Sequence, residues 1–436
     1  MRMIQIGTPY VYEDGGYAYL KAPVSVSPDT SAAYIEASKR IKKVHWRVSE
    51  NYPPVQWKAE DSGLWFAVPS EYGSYLCTER SDAFVVAMLW YAMVTGSDIS
   101  FQVPMSEQMH FRIEHYLIPA LCTRQNGYRR IKLMGPVTGE KVSNPGAVGT
   151  GMSCGIDSFY TLQEYTQPDV PGNYQLTHLT YYNMGAIFHP NRAEKKKYTL
   201  EEFYQTTDRM SEEKAENARQ VAQASRLSFV YVKSNLDSDY YRGAYGHTGV
   251  YRNCAMTLAL QGLFSVYYCS SGGWPSYFDL TLTEGSEHYE SLLCHCLSTE
   301  SLAFVLSDYV TRYEKTERIA DNHLAQKYLD VCFCFNNCGK CSKCRRTLLT
   351  LDLLGKVQEF GQIFDVDAFE KDKVQAYSDL LWAKDGDALD DNAVFARELY
   401  AIAMEKNMIP QESVKLYRRR IIRTKVKKFR KRILDK

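Results

Sequence analysis

The stretch that most limits what this chain can fold into is AVGTGMSCGIDSFYTL, residues 147–162. Ala147 and Val148 begin a short apolar run. Gly149, Thr150, Gly151, Ser153 and Gly155 form a loop of small residues, and Ile156, Phe159, Tyr160 and Leu162 then recur at helical spacing. This order predicts a strand, a tight loop and a helix N-terminus. The first N–H groups of a helix lack internal partners and carry the positive end of its dipole. A phosphate sits readily at such a turn. Asp157 and Ser158 fall in the first helical turn, where a carboxylate can hold a metal bound to the same phosphates. The plainer alternative is an ordinary glycine-rich turn before a helix.

The segments that follow alternate. Leu176 to Tyr182 predicts a strand, Glu201 to Leu227 a helix and Ser228 to Lys233 a strand. Tyr251 to Leu263 predicts a helix and Phe264 to Tyr268 a strand. Such alternation implies an α/β fold with a parallel, doubly wound sheet. Ligands of such sheets lie beyond the carboxyl ends of the strands, so the loops after 148, 182, 233 and 268 should surround one site. Asn183, at the end of the second strand, is a candidate nucleotide contact for that reason. Residues 1–145 read as a separate N-terminal α+β domain, with strands at 17–20 and 64–68. Ser81 to Val94 predicts a buried helix capped by Ser81 or Asp82. Residues 106–122 predict a helix capped by Ser106 and bent or ended by Pro119. His110 and His115 do not share a helix face at metal-binding spacing.

The loop fits neither GxxxxGK[ST] nor GxGxxG. Ser153-Cys154-Gly155-Ile156-Asp157-Ser158 resembles the SGGxDS signature of the PP-loop ATP pyrophosphatases, with Cys154 where that superfamily usually has glycine. The 7-cyano-7-deazaguanine synthases of that superfamily carry an Arg-Asn pair at the start of a helix, and Arg252-Asn253 is similar to it. A helix cap plus a surface arginine is the plainer reading of that pair. Thr311 to Lys315 resembles a basic segment near the phosphates, in a register that fits Arg312 or Lys315. The resemblance covers about residues 146–346 and implies an adenine nucleotide alpha hydrolase-like domain at 146–330.

It further implies an ATP-dependent ligase that forms AMP and pyrophosphate. ATP would adenylate a carboxylate or amide oxygen of a small molecule, and ammonia or another amine would displace AMP. Residues 153–158, with Asn183 and Asn253, would hold ATP. Ser153, Gly155, Asp157 and Ser158 would cradle pyrophosphate and its Mg²⁺, and Arg252 would clamp phosphate or substrate. The acidic substrate segment of the synthases has no residue-by-residue match in 270–288. Two alternatives stand beside this. One is another PP-loop chemistry, such as nucleotide-sugar amidation or tRNA thiolation through Cys154. The other is a nucleotide-binding partner in a defence or polysaccharide-locus assembly.

Of twelve cysteines, five crowd into 332–344, CFCFNNCGKCSKC. That usage points to one metal site in a reducing compartment, by default the cytoplasm, rather than to a disulfide framework. Cys338, Cys341 and Cys344 follow a C-x2-C-x2-C spacing, with Cys332 or Cys334 as the fourth thiol. Four thiolates make a closed tetrahedral zinc site with no open catalytic position. An iron–sulfur cluster takes the same ligands. The synthases are similar here too: their zinc motif favours Cys332. Arg345 and Arg346 would favour thiolates. The Cys-rich lobe is expected over 331–365.

Helices are expected over 366–410, with a basic amphipathic tail over 411–436. Residues 415–436 hold twelve lysines and arginines against one aspartate, a net of +11, while the whole chain is formally +1. Ile422, Val426, Phe429 and Ile433 make one apolar stripe on that basic cylinder. It would lie on an anionic membrane surface, grip nucleic-acid phosphates, or fold its stripe back onto the body. A homo-oligomer is a further expectation. The N-terminus shows no secretory pattern, and the longest apolar run, Ala83 to Val94, is too short to cross a membrane.

Overall fold

The computed structural model describes residues 2–41, 63–123, 127–187, 199–241, 244–270, 278–280, 285–332, 336–386 and 391–434. Cys334, Arg242, the segment 271–277 and most of the polar insert after 188 lie outside them. The fold is α/β with mixed sheets and divides into two compact units. The first comprises Met1–Ser153, Thr161–Pro190 and Lys195–Tyr309; the second comprises Cys154–Tyr160, Asn191–Glu194 and Val310–Lys436.

The first unit is built on an eight-stranded sheet. Its strands are β1 (Tyr10–Asp14), β2 (Tyr17–Ala22), β3 (Leu64–Pro69), β4 (Ala147–Gly151), β5 (His178–Asn183), β6 (Ser228–Ser234), β7 (Phe264–Cys269) and β8 (Ala303–Leu306), in the order β8-β7-β4-β5-β6-β3-β2-β1. The five strands from β4 to β8 run parallel. The four central residues of β5 are all buried, the unbroken apolar pattern of a strand covered on both faces. Successive parallel strands step outward on either side of β4, so the order reverses there. The antiparallel β3 joins through Lys233↔Ala67 and Ser234↔Phe66.

The boundary expected at 145/146 therefore does not coincide with an edge of either unit: residues 10–22 and 64–69 complete the same sheet. A smaller sheet takes Val24–Val26, Met3–Ile6, Asp98–Phe101 and Leu133–Met134 in that order. The short strand β8 and this second sheet were not expected from the sequence.

Helix α1 (Asp82–Thr95) is apolar on all sides, and every residue but Val94 is buried. It ends at Gly96, whose φ of 67° is the left-handed conformation a C-terminal cap requires. Ser81 does not cap α1 with its side chain; its Oγ donates to Val103 O, while the Asp82 carboxylate accepts from Ser106 N and Gln261 Nε2. Ser106 does cap the next helix, accepting from Met109 N at 3.0 Å. Pro119 does not end that helix. A π turn, Ile113–Leu117, precedes it, and the proline sits in the first turn of Ile118–Cys122, where its missing N–H costs little.

Helix α2 (Ile156–Tyr165) follows β4. Helix α3 (Leu200–Ala224) opens with a capping box between Thr199 and Glu202. Helix α4 runs Tyr245–Ala259, starting six residues before the expected Tyr251. Gly246 and Gly249 disguised its first turns, which Thr248 braces by donating to Ala244 O at 2.8 Å.

In the second unit, α5 (Arg312–Ile319) opens with a capping box between Thr311 and Glu314. It is followed by α6 (Ser342–Leu353), α7 (Val366–Ala383), α8 (Asp391–Glu405) and α9 (Gln411–Leu434). The start of α9 is tied to α7 by Ser413 Oγ donating to Val374 O at 2.7 Å and by Arg420 on Asp379 at 2.8 Å. Farther along, Ile422 and Val426 are 62% and 44% exposed, so at these two positions the apolar stripe is not folded back. Among the described residues, no helix is long and apolar enough to cross a membrane.

Candidate functional site

In the second unit, the start of α2 meets α5. Asp157, in the first turn of α2, accepts from Arg312 at 2.9 Å through Oδ2 and from Lys315 at 3.3 Å through Oδ1. Arg312 and Lys315, three residues apart, lie on one face of α5 and share this acid. The sequence left the register open between the two; both are used. Lys315 is only 2% exposed. Burial alone would raise the Asp157 carboxyl, but Arg312, Lys315 and then Arg346 outweigh it and hold it below its ordinary value.

Two further cations of the second unit face this group. Burial, then Arg312 and Arg346, push Lys343 down to about 8. Burial, then Arg312, push Arg346 down to about 9. Arg312 and Arg346 both lie over the ring of Phe395 in α8, at 5.7 and 4.0 Å from its centre. Among the described residues, four cations thus interact with this one carboxylate, while Cys341 also acts on Lys343 and Arg346, and Glu398 on Arg346. Such a surplus favours an anion. Lys343 and Arg346 were not picked out as site residues. Nothing in the sequence ties positions beside the cysteines to Asp157, nearly 190 residues earlier. Arg345 points elsewhere, onto Asp372 at 2.8 Å and onto Asp379.

The loop before α2 holds a non-glycine residue in a left-handed backbone conformation. Cys154 is buried and has a φ of 58°, a left-handed conformation that favours glycine. Its carbonyl accepts from Asp330 N at 2.7 Å. Ser153 is exposed, Gly155 half-buried, and Ile156 and Ser158 buried. Ser158 Oγ donates to Gly155 O at 3.0 Å, within its own turn.

Comparison with protein-family models, with curated proteins and with solved structures finds no match for this chain.

In the first unit, Arg252 is fully buried. It donates from one nitrogen to Met184 O at 2.6 Å and Asp237 at 2.7 Å, and from Nε to Thr248 Oγ1 at 2.8 Å. It braces the loops after β5 and β6 against α4, and its charge is answered by Asp237. Because α4 begins at Tyr245, Arg252 and Asn253 lie well inside the helix rather than at its entrance, which corrects the expected position. Asn253 is half-buried. Asn183 donates to Asp208 at 2.8 Å and accepts from Ser211. It lines a cavity of about 160 Å³ with Gly185, Asp208, Glu212, Lys233 and Asp237, beside the carboxyl ends of β5 and β6. A larger cavity, about 470 Å³, opens at the amino ends of β4, β5 and β6, opposite the loops expected to bind.

The cysteine lobe lies in the second unit. One sulfur from each of Cys332, Cys338, Cys341 and Cys344 falls within 4.8 Å of the others, and Cys332 and Cys341 are 3.9 Å apart. Four thiolates on a tetrahedral zinc at about 2.3 Å would stand about 3.8 Å from one another. The donor set therefore fits a metal such as zinc. The backbone supports the sulfurs: Cys338 N donates to Cys332 Sγ, Cys341 N to Cys338 Sγ and Cys344 N to Cys341 Sγ, each at 3.4 Å. The sulfurs of Cys332 and Cys341, then burial, push the Cys344 thiol far up. Neighbouring thiolates repel, and a cation among them is what allows all four to ionise.

Proposed function

We propose that this chain is an ATP-dependent C–N ligase of the PP-loop kind, similar to the 7-cyano-7-deazaguanine synthases and built on a doubly wound nucleotide-binding domain. The observation that carries the reading is the Asp157 carboxylate at the start of α2, held by Arg312 and Lys315 in a surplus of positive charge. The reversal of strand order at β4 supports it, because nucleotides bind at such reversals. So does the left-handed backbone at Cys154, the conformation suited to the glycine that the SGGxDS pattern has at this position.

In this reading the phosphates of ATP lie against residues 153–158, and Arg312 and Lys315 turn part of their charge from Asp157 to them. A single carboxylate suits Mg²⁺, which takes its other ligands from phosphate and water and would offset charge growing on the departing pyrophosphate. Arg312 and Lys315 stabilise the same charge from the protein side. A carboxylate or amide oxygen of the substrate attacks the α-phosphorus, and its bond to pyrophosphate breaks. An amine then displaces AMP, a far better leaving group than the original oxygen. Arg252 acts in this scheme by fixing the loops after β5 and β6. The burial of Cys154 favours this chemistry over sulfur transfer, which needs an accessible thiol. The exposed Ile422 and Val426 on a basic helix favour an anionic surface, membrane or nucleic acid, as the partner of α9.

ATP–pyrophosphate exchange with candidate carboxylates and magnesium tests the proposal. Exchange in the wild type and its loss in Asp157→Ala are expected, with folding checked by circular dichroism. Absence of any ATP affinity in the magnesium-supplemented wild type would overturn it. Binding without AMP release would move the chain to the class of nucleotide-binding partners.

A further inference from the structure

We infer that the cysteine lobe completes the anion site: Arg346 is a phosphate-binding residue, and metal loading of the four cysteines sets the affinity for phosphate. The inference rests on the phosphate reading above and extends it to a part of the chain that the sequence assigned to structure alone. Cys341 is both a candidate ligand and the N-terminal cap of α6, its Sγ accepting from Cys344 N. Arg346 therefore lies in the first turns of a helix that one candidate ligand caps, two residues beyond another, Cys344.

The two adjacent arginines of that turn are sorted to different tasks. Arg345 is answered by Asp372 and Asp379 of α7. Arg346 instead lies 4.0 Å from the centre of the Phe395 ring, which it shares with Arg312. Its buried Nε has no hydrogen-bond acceptor among the described residues. Two guanidinium groups on one aromatic ring repel unless an anion joins them. Arg312 already reaches Asp157, so an anion bound there lies within the same charged cluster as Arg346. A metal bound by Cys332, Cys338, Cys341 and Cys344 would fix where α6 begins, and through it the direction of Arg346.

Calorimetric titration with magnesium pyrophosphate tests this on the full-length, metal-loaded protein, on Arg346→Gln, on Arg345→Gln, and on the wild type after chelation. Arg346→Gln should weaken binding roughly tenfold or more, the loss expected of one charge-assisted contact. Arg345→Gln should melt at lower temperature with unchanged affinity. Chelation should weaken binding at least as much as Arg346→Gln. Should Arg346→Gln not fold, Arg346→Lys takes its place: it keeps the charge but loses the planar guanidinium, and a smaller loss in the same direction is expected. Wild-type affinity in the folded variant, or affinity indifferent to chelation, overturns the inference. A metal-loaded wild type that takes up no pyrophosphate overturns the phosphate reading instead.

Discussion

Arg312 and Asp157, 155 residues apart in the chain, meet at 2.9 Å, and the same carboxylate holds Lys315 through its other oxygen. Removing the acid takes an ion-pair partner from a lysine only 2% exposed. Asp157→Asn is therefore expected to cost roughly 3 kcal/mol, the scale of a broken buried pair. Urea unfolding at pH 7 measures it, and Asp157→Asn/Lys315→Met should recover part of the loss. A single variant as stable as the wild type would show that the pair contributes nothing to folding.

The same pair sets an acid limit. Arg312 and Lys315 outweigh burial and hold the folded Asp157 carboxyl below the ordinary 3.8. The pair's contribution is then complete above pH 3.8 and is lost as pH falls through the lower, folded value. The stability difference between wild type and Asp157→Asn should be flat from neutrality to about pH 5 and narrow only in stronger acid. Narrowing already between pH 7 and 5 would contradict this.

Cys154 stands at a φ of 58°. Glycine meets no penalty there, whereas any side chain costs about 1–2 kcal/mol. Cys154→Gly should be at least as stable as the wild type and more stable than Cys154→Ala, reversing the order usual at buried positions. Thermal melting of the three proteins compares them directly.

Asp82 presents the opposite titration. Burial raises its carboxyl to about 6, with Gln261, Ser106 N and Arg80 offsetting only part of the cost. The folded state holds this proton more tightly than the unfolded one, so stability falls as pH rises from about 4 to about 6. Asp82→Asn removes that slope. Its stability relative to wild type should improve across this window, and denaturation midpoints at pH 4.5 and 7 provide the check.

The four clustered sulfurs should retain about one equivalent of metal per chain through purification, lost in Cys341→Ser/Cys344→Ser. Elemental analysis reads this directly. Zinc is the expected ion; iron with visible absorbance would replace it by a cluster.

Much of the sheet was legible because its strands are compact runs of aromatic and β-branched residues, as in Phe229-Val230-Tyr231-Val232. Ala303–Leu306 was not, since four residues carry too little alternation to stand out. The start of α4 was hidden by Gly246 and Gly249, residues that argue locally against the helix that tertiary packing imposes. Residues 1–145 looked separate because their strands are distant in sequence; the pairing of Lys233 and Ser234 with Ala67 and Phe66 reveals one sheet. At the candidate site, Asp157 was visible from its turn, while Arg312 and Lys315 were visible only as alternatives through the resemblance at Thr311 to Lys315. The different fates of Arg345 and Arg346 depend on which side of α6 meets α7 and which meets Phe395, and no local pattern encodes that.

Helix α2 begins in one compact unit and ends in the other, the chain changing membership between Tyr160 and Thr161. No single cut can therefore free the C-terminal unit intact. A fragment made from residues 310–436 would keep Arg312, Lys315, Lys343 and Arg346 but lack the acid they gather around. Left to self-repulsion, such a piece should fold poorly alone and regain order on addition of a peptide carrying residues 150–165.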